Sequence, residues 1–129
     1  MSGVWEHLAL GMGVAFSGIN LLIAAIGGFI GTIVGVLPGL GPINAVAMLV
    51  PIAFAMQLPP ESALILLSAV YVGAEYGGRI SSILINIPGE AAAVMTTIGG
   101  YPLARKGLAS VALSISAWSS FTGSTLALI

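Results

Sequence analysis

Along the chain, long apolar blocks are cut by short clusters of Pro, Gly, Ser and Asn. Residues 2 to 17 are moderately apolar and predict a helix lying at a membrane interface. Ser17-Gly18-Ile19-Asn20 breaks that helix and suits an N-cap. Residues 20 to 37, with "LLIAAIGGFIGTIVGVL" at their heart, predict the first full span. The cluster "PGLGP", Pro38 to Pro42, comes next, and residues 43 to 57 predict a second, shorter span. "QLPPES" ends it, because Pro59 and Pro60 stop one helix and Glu61 suits the first turn of the next. A third span is expected over 61 to 78. From Arg79 to Gly100, two apolar halves flank Pro88-Gly89, each about ten residues and too short to cross ~30 Å of hydrocarbon. "YPLARKG" predicts the most basic loop of the chain, and a last apolar helix starts near Gly107.

This pattern excludes a transmembrane β-barrel, whose ~10-residue segments alternate in polarity. From Leu8 to Pro60 there is no ionisable side chain, and a spanning helix needs only about 20 residues. The run therefore holds two spans and a connection. Composition agrees, with 58% hydrophobic and 5% charged residues and a mean hydropathy of +1.14, against about 25% charged residues in soluble domains. The expected fold is all-α: a polytopic integral membrane protein with about four spanning helices, Pro-Gly helix breaks and a re-entrant hairpin.

Charge adds orientation and removes alternatives. The net charge of −1 leaves no basic patch for nucleic acid. No cysteine is present, so disulfides and thiolate metal sites are absent. The N-terminus lacks the basic region of a cleaved signal peptide, Trp5 suits an interfacial anchor, and His7 beside Glu6 is interfacial too. Arg105 and Lys106 place their loop in the cytoplasm. The last segment runs uncharged to Ile129, so residues 1 to 129 are expected to be the N-terminal part of a single, longer permease domain.

Gly27, Gly31 and Gly35 recur every four residues and present one smooth face for close packing against another helix. The chemistry is expected elsewhere. In "PGLGP", Pro38 and Pro42 remove two backbone donors, while Gly39 and Gly41 allow left-handed φ. Freed backbone at membrane depth is tolerated where it is buried or lines a polar cavity, as at the broken helices of transporters. A plain interfacial turn explains this cluster equally well. The second break, "INIPGEAAAV", fits a re-entrant hairpin whose tip presents Asn86, loose carbonyls and the N-terminus of a helix starting near Glu90. Ser81, Ser82, Thr96 and Thr97 flank it; the alternative is an extramembrane loop with Glu90 in water. Glu75 and Arg79, four apart, read as a structural ion pair or, less simply, as a charged substrate contact. No nucleophile–base pair, metal-ligand cluster or phosphate loop occurs, so no enzyme is expected. The candidate substrate- and cation-binding residues are Gly39, Gly41, Asn44, Ser81, Ser82, Asn86, Pro88, Gly89, Glu90 and Thr96.

"GVLPGLGP", "YVGAEYGGRISSILINIPGE", "GGYPLARKG" and "ALSISAWSSF" together resemble the large membrane subunit of tripartite tricarboxylate transporters, the TctA permease family. The resemblance runs from about Gly27 onward with the motifs in the family's order. It implies secondary transport of tricarboxylates such as citrate, or related carboxylates, driven by a Na⁺ or H⁺ gradient without a cofactor. It implies as partners a small four-helix membrane subunit and a periplasmic solute-binding protein, in the bacterial inner membrane. The family's Pro-Gly-Leu-Gly-Pro motif falls on Pro38 to Pro42 and its Asn-x-Pro-Gly motif on Asn86, Pro88 and Gly89. One departure stands out: Gly99 occupies a position where the family often has Asp. A structural membrane subunit packed through the Gly27/Gly31/Gly35 face, or a channel-like component, is the alternative.

Overall fold

A computed structural model describes residues 2–129. The chain forms α1 (Ser2–Ala15), α2 (Gly18–Val36), α3 (Gly41–Ala55), α4 (Pro60–Ile85), a 3-10 turn (Ala91–Ala93), α5 (Val94–Arg105) and α6 (Ala109–Leu128). Among the described residues there is no strand. The helices α2, α4 and α6 are long and apolar enough to cross a membrane, and α3 is a shorter apolar helix. Apolar side chains that would be anomalous on a soluble surface face outward, Phe54 being 86% exposed. Together these features describe a multi-pass membrane protein.

The organising contact is between α2 and α4, which run parallel. A Cβ added at Gly27 would meet Leu66, one at Gly31 would lie 2.2 Å from the Val70 carbonyl oxygen, and one at Gly35 2.2 Å from that of Ala74. The fit is reciprocal, since a Cβ at Gly73 or Gly77 would lie 2.3 Å from the carbonyl oxygen of Gly28 or Thr32. Lipid gives no hydrophobic drive for helix pairing, so this backbone contact supplies the dispersion that holds the pair. The glycine face expected from sequence is thus used inside the chain by α4 and is not free for another subunit.

Two parallel neighbours need a return path, and α3 provides it. Its Ala45 and Ala53 pack with Leu66, Val70 and Ala74 of α4 in a small core, edged by Ile23, Val34 and Leu49. At the far end Ser62 donates a hydrogen bond of 2.7 Å to the Asn20 side-chain carbonyl, and Asn20 Nδ2 donates to the Val14 carbonyl. That network locks the start of α4 to the start of α2 and the end of α1.

Two boundaries depart from the sequence expectation. The third span does not stop at residue 78, since α4 continues unbroken to Ile85. Its buried stripe, including Ala74, Gly78, Ser81 and Ser82, keeps helical spacing across Arg79, so packing carries the helix through. "YPLARKG" is likewise mostly helix, because α5 runs through Pro102 to Arg105 with Leu103 and Ala104 half-buried. The connection shrinks to residues 106–108, where Gly107 takes φ 80°.

Candidate functional site

The helix α4 ends where Asn86 enters the left-handed region at φ 59°, ψ 28°. Asn tolerates that conformation better than most residues with a Cβ, which is why the helix stops there. The chain then turns back along α4 instead of leaving it. Gly89 is buried against Gly78, some 10 Å of helix before Ile85 at ~1.5 Å per residue. A Cβ on Gly89 would lie 2.7 Å from the Gly78 Cα and 3.2 Å from the Gly35 carbonyl oxygen, so only glycine passes between α2 and α4 here.

The first break reaches the same place. Helix α2 ends at Val36, Gly39 and Gly41 take φ 88° and 60°, and α3 begins at Gly41. A Cβ on Gly41 would lie 4.0 Å from the Gly89 carbonyl oxygen. The two Pro-Gly breaks, far apart in sequence, therefore lie close together. Around them converge the C-terminus of α2, the N-terminus of α3 and the N-terminus of the 3-10 turn that leads into α5. Two N-termini offer positive dipole ends and unsatisfied N–H groups, and the α2 end offers carbonyls.

Beside this junction lie side chains that carry charge. Arg79 is half-buried between α4 and α6, and its Nη1 donates a hydrogen bond to Ser120 Oγ rather than to Glu75. On one side of Arg79 a cleft of about 760 Å³ is lined by Tyr71, Glu75, Tyr76, Phe121 and Ser124. On the other side a cleft of about 470 Å³ is lined by Ala92, Thr96, Ser116, Ser119, Ser120 and Ser124. Glu90 is half-buried in the break.

The residues singled out from sequence thus separate into groups. Gly41 and Gly89 lie close together at the junction, with Pro88 and Glu90 half-buried beside Gly89. Thr96 lies in the hydroxyl-lined cleft with Arg79. Ser81 and Ser82 are buried and donate to the Gly78 carbonyl at 3.0 and 2.7 Å, which braces the helix behind the junction. Asn86, Gly39 and Asn44 are exposed; Asn86 acts as the helix stop, and Asn44 lies on the open side of α3. The structure adds Arg79 as a cleft residue, together with the α6 hydroxyls. Ser116, Ser120 and Ser124 follow i, i+4, i+8 spacing along α6, a signal readable in "SAWSSFTGS". Among the described residues no cluster of three or more His, Cys, Asp or Glu could hold a metal ion.

Comparison with known proteins bears on this geometry. The model of the tripartite tricarboxylate transporter TctA family matches residues 21–129. The chain is 46% identical over 121 residues to a protein of Agrobacterium vitis described as "Uncharacterized 52.8 kDa protein in TAR-I ttuC' 3'region". That alignment covers 94% of this chain and 24% of the relative, so the chain spans about a quarter of the curated relative's length. No solved structure matches.

Proposed function

Because this chain belongs to the tripartite tricarboxylate transporter TctA family, we propose that its two Pro-Gly breaks form part of a carboxylate permease's transport site. The family makes the chain a component of a transporter. The finer reading is import of tricarboxylates such as citrate, or related carboxylates, coupled to a Na⁺ or H⁺ gradient across the bacterial inner membrane. A periplasmic solute-binding protein would deliver the substrate, and a small four-helix membrane subunit would complete the assembly.

One observation carries this reading: Gly89 folds back between Gly35 and Gly78 and comes close to Gly41, which brings the two breaks side by side. A simple turn between spans needs no such return. Burying non-helical backbone costs several kcal/mol per unpaired group, so a protein keeps it where those groups have work to do. Here the two helix N-termini favour an anionic group, while loose carbonyls favour a cation. The neighbouring Glu90 adds a carboxylate that can take up a proton or hold a monovalent cation. The structural-subunit alternative loses its motive, because α4 already covers the glycine face.

The test uses the full-length permease with its partner proteins in proteoliposomes. Glu90→Gln is expected to abolish gradient-driven citrate uptake while membrane abundance stays at the wild-type level. Unchanged uptake by that variant would remove Glu90 from the site.

A further inference from the structure

Arg79 is the one cation in α4, placed about 19 residues into a helix of 26, and it is not matched to Glu75 by a hydrogen bond. A guanidinium within a spanning helix is costly, and such groups face a polar cavity or a partner. Its position at the seam of two clefts gives it two different environments. The larger cleft holds Glu75 and two tyrosines. The smaller holds no acidic residue; it offers Thr96 and a row of serine hydroxyls beside the guanidinium.

We propose that Arg79 anchors a carboxylate group of the transported substrate in the smaller cleft, with Thr96, Ser116, Ser120 and Ser124 as the surrounding hydrogen-bond donors. This rests on the carboxylate-permease reading and gives that reading a charged contact which the backbone junction lacks. The chemistry fits the residues. A planar guanidinium pairs with a carboxylate through two parallel N–H···O bonds, and hydroxyls donate to the oxygens left over. Ser120 accepts the Arg79 hydrogen bond, so an arriving carboxylate substitutes for a neutral acceptor. No acidic side chain lines this cleft, whereas Glu75 lines the other. Ala92 and Thr96 bring the cleft to the first turns after the second break, so a substrate here lies next to the backbone junction.

The experiment measures citrate uptake by the full-length permease with its partner proteins. Arg79→Gln is expected to abolish saturable uptake. Arg79→Lys is expected to retain it with KM raised at least tenfold, because an ammonium loses the bidentate geometry. Thr96→Val, which keeps volume and removes the donor, is expected to raise KM several-fold. A structural role for Arg79 would instead lower membrane abundance without moving KM in Thr96→Val. As an independent readout, a single cysteine replacing Ser124 is expected to react with a charged thiol reagent more slowly when citrate is present. Wild-type KM in both Arg79→Lys and Thr96→Val, or no protection of the cysteine by citrate, overturns the proposal while the permease reading stands. If the wild-type assembly inserts correctly and takes up no carboxylate, the permease reading falls and this inference with it.

Discussion

Single residues decide how closely the backbones approach. Gly89→Ala puts a methyl 2.7 Å from the Gly78 Cα, where no flexible side-chain end can yield. The expected loss is about 1–3 kcal/mol, the range for overpacked sites, read as a lower unfolding midpoint in detergent. Gly99→Ala is the control, since nothing lies within 4 Å of that position and no loss is expected.

At the scale of elements, sequence and structure agree wherever local chemistry is strong. The breaks at Ser17, Pro38–Pro42 and Pro59-Pro60 all separate helices, because proline and glycine remove donors and free φ irrespective of distant contacts. They disagree where packing competes with local signals. Helix α4 runs on through Arg79 because Ile83 and the two serines are buried there, and α5 absorbs Pro102. The turn from α3 to α4 holds a further local cost, Gln57 at φ 52°. Left-handed backbone costs a residue with a Cβ roughly 1–2 kcal/mol. Gln57→Gly is therefore expected to raise the unfolding midpoint, by up to about 1 kcal/mol after glycine's larger entropy loss. A lower midpoint would show that the Gln57 side chain stabilises the turn.

For the whole molecule, orientation follows from Arg105 and Lys106 at the end of α5. A cysteine replacing Lys106 in this cysteine-free segment is expected to react with a membrane-impermeant maleimide only from the cytoplasmic side. Labelling from the periplasmic side would invert the topology. Membrane residence, helical class and the breaks at Ser17, Pro38–Pro42 and Pro59-Pro60 were determined by the sequence alone. An uncharged run of that length has no other stable solvent, and proline and glycine act through the covalent chain. The pairing of α2 with α4 was half legible: Gly27, Gly31 and Gly35 announced a smooth face but could not name its partner. Only the tertiary structure decided that this partner is the parallel α4, that the second break folds back towards the first, and that Arg79 faces the hydroxyls of α6. Those outcomes depend on contacts between residues some 40 positions apart. Such contacts arise from complementary surfaces brought together in three dimensions, and local periodicity carries no record of which surfaces will meet.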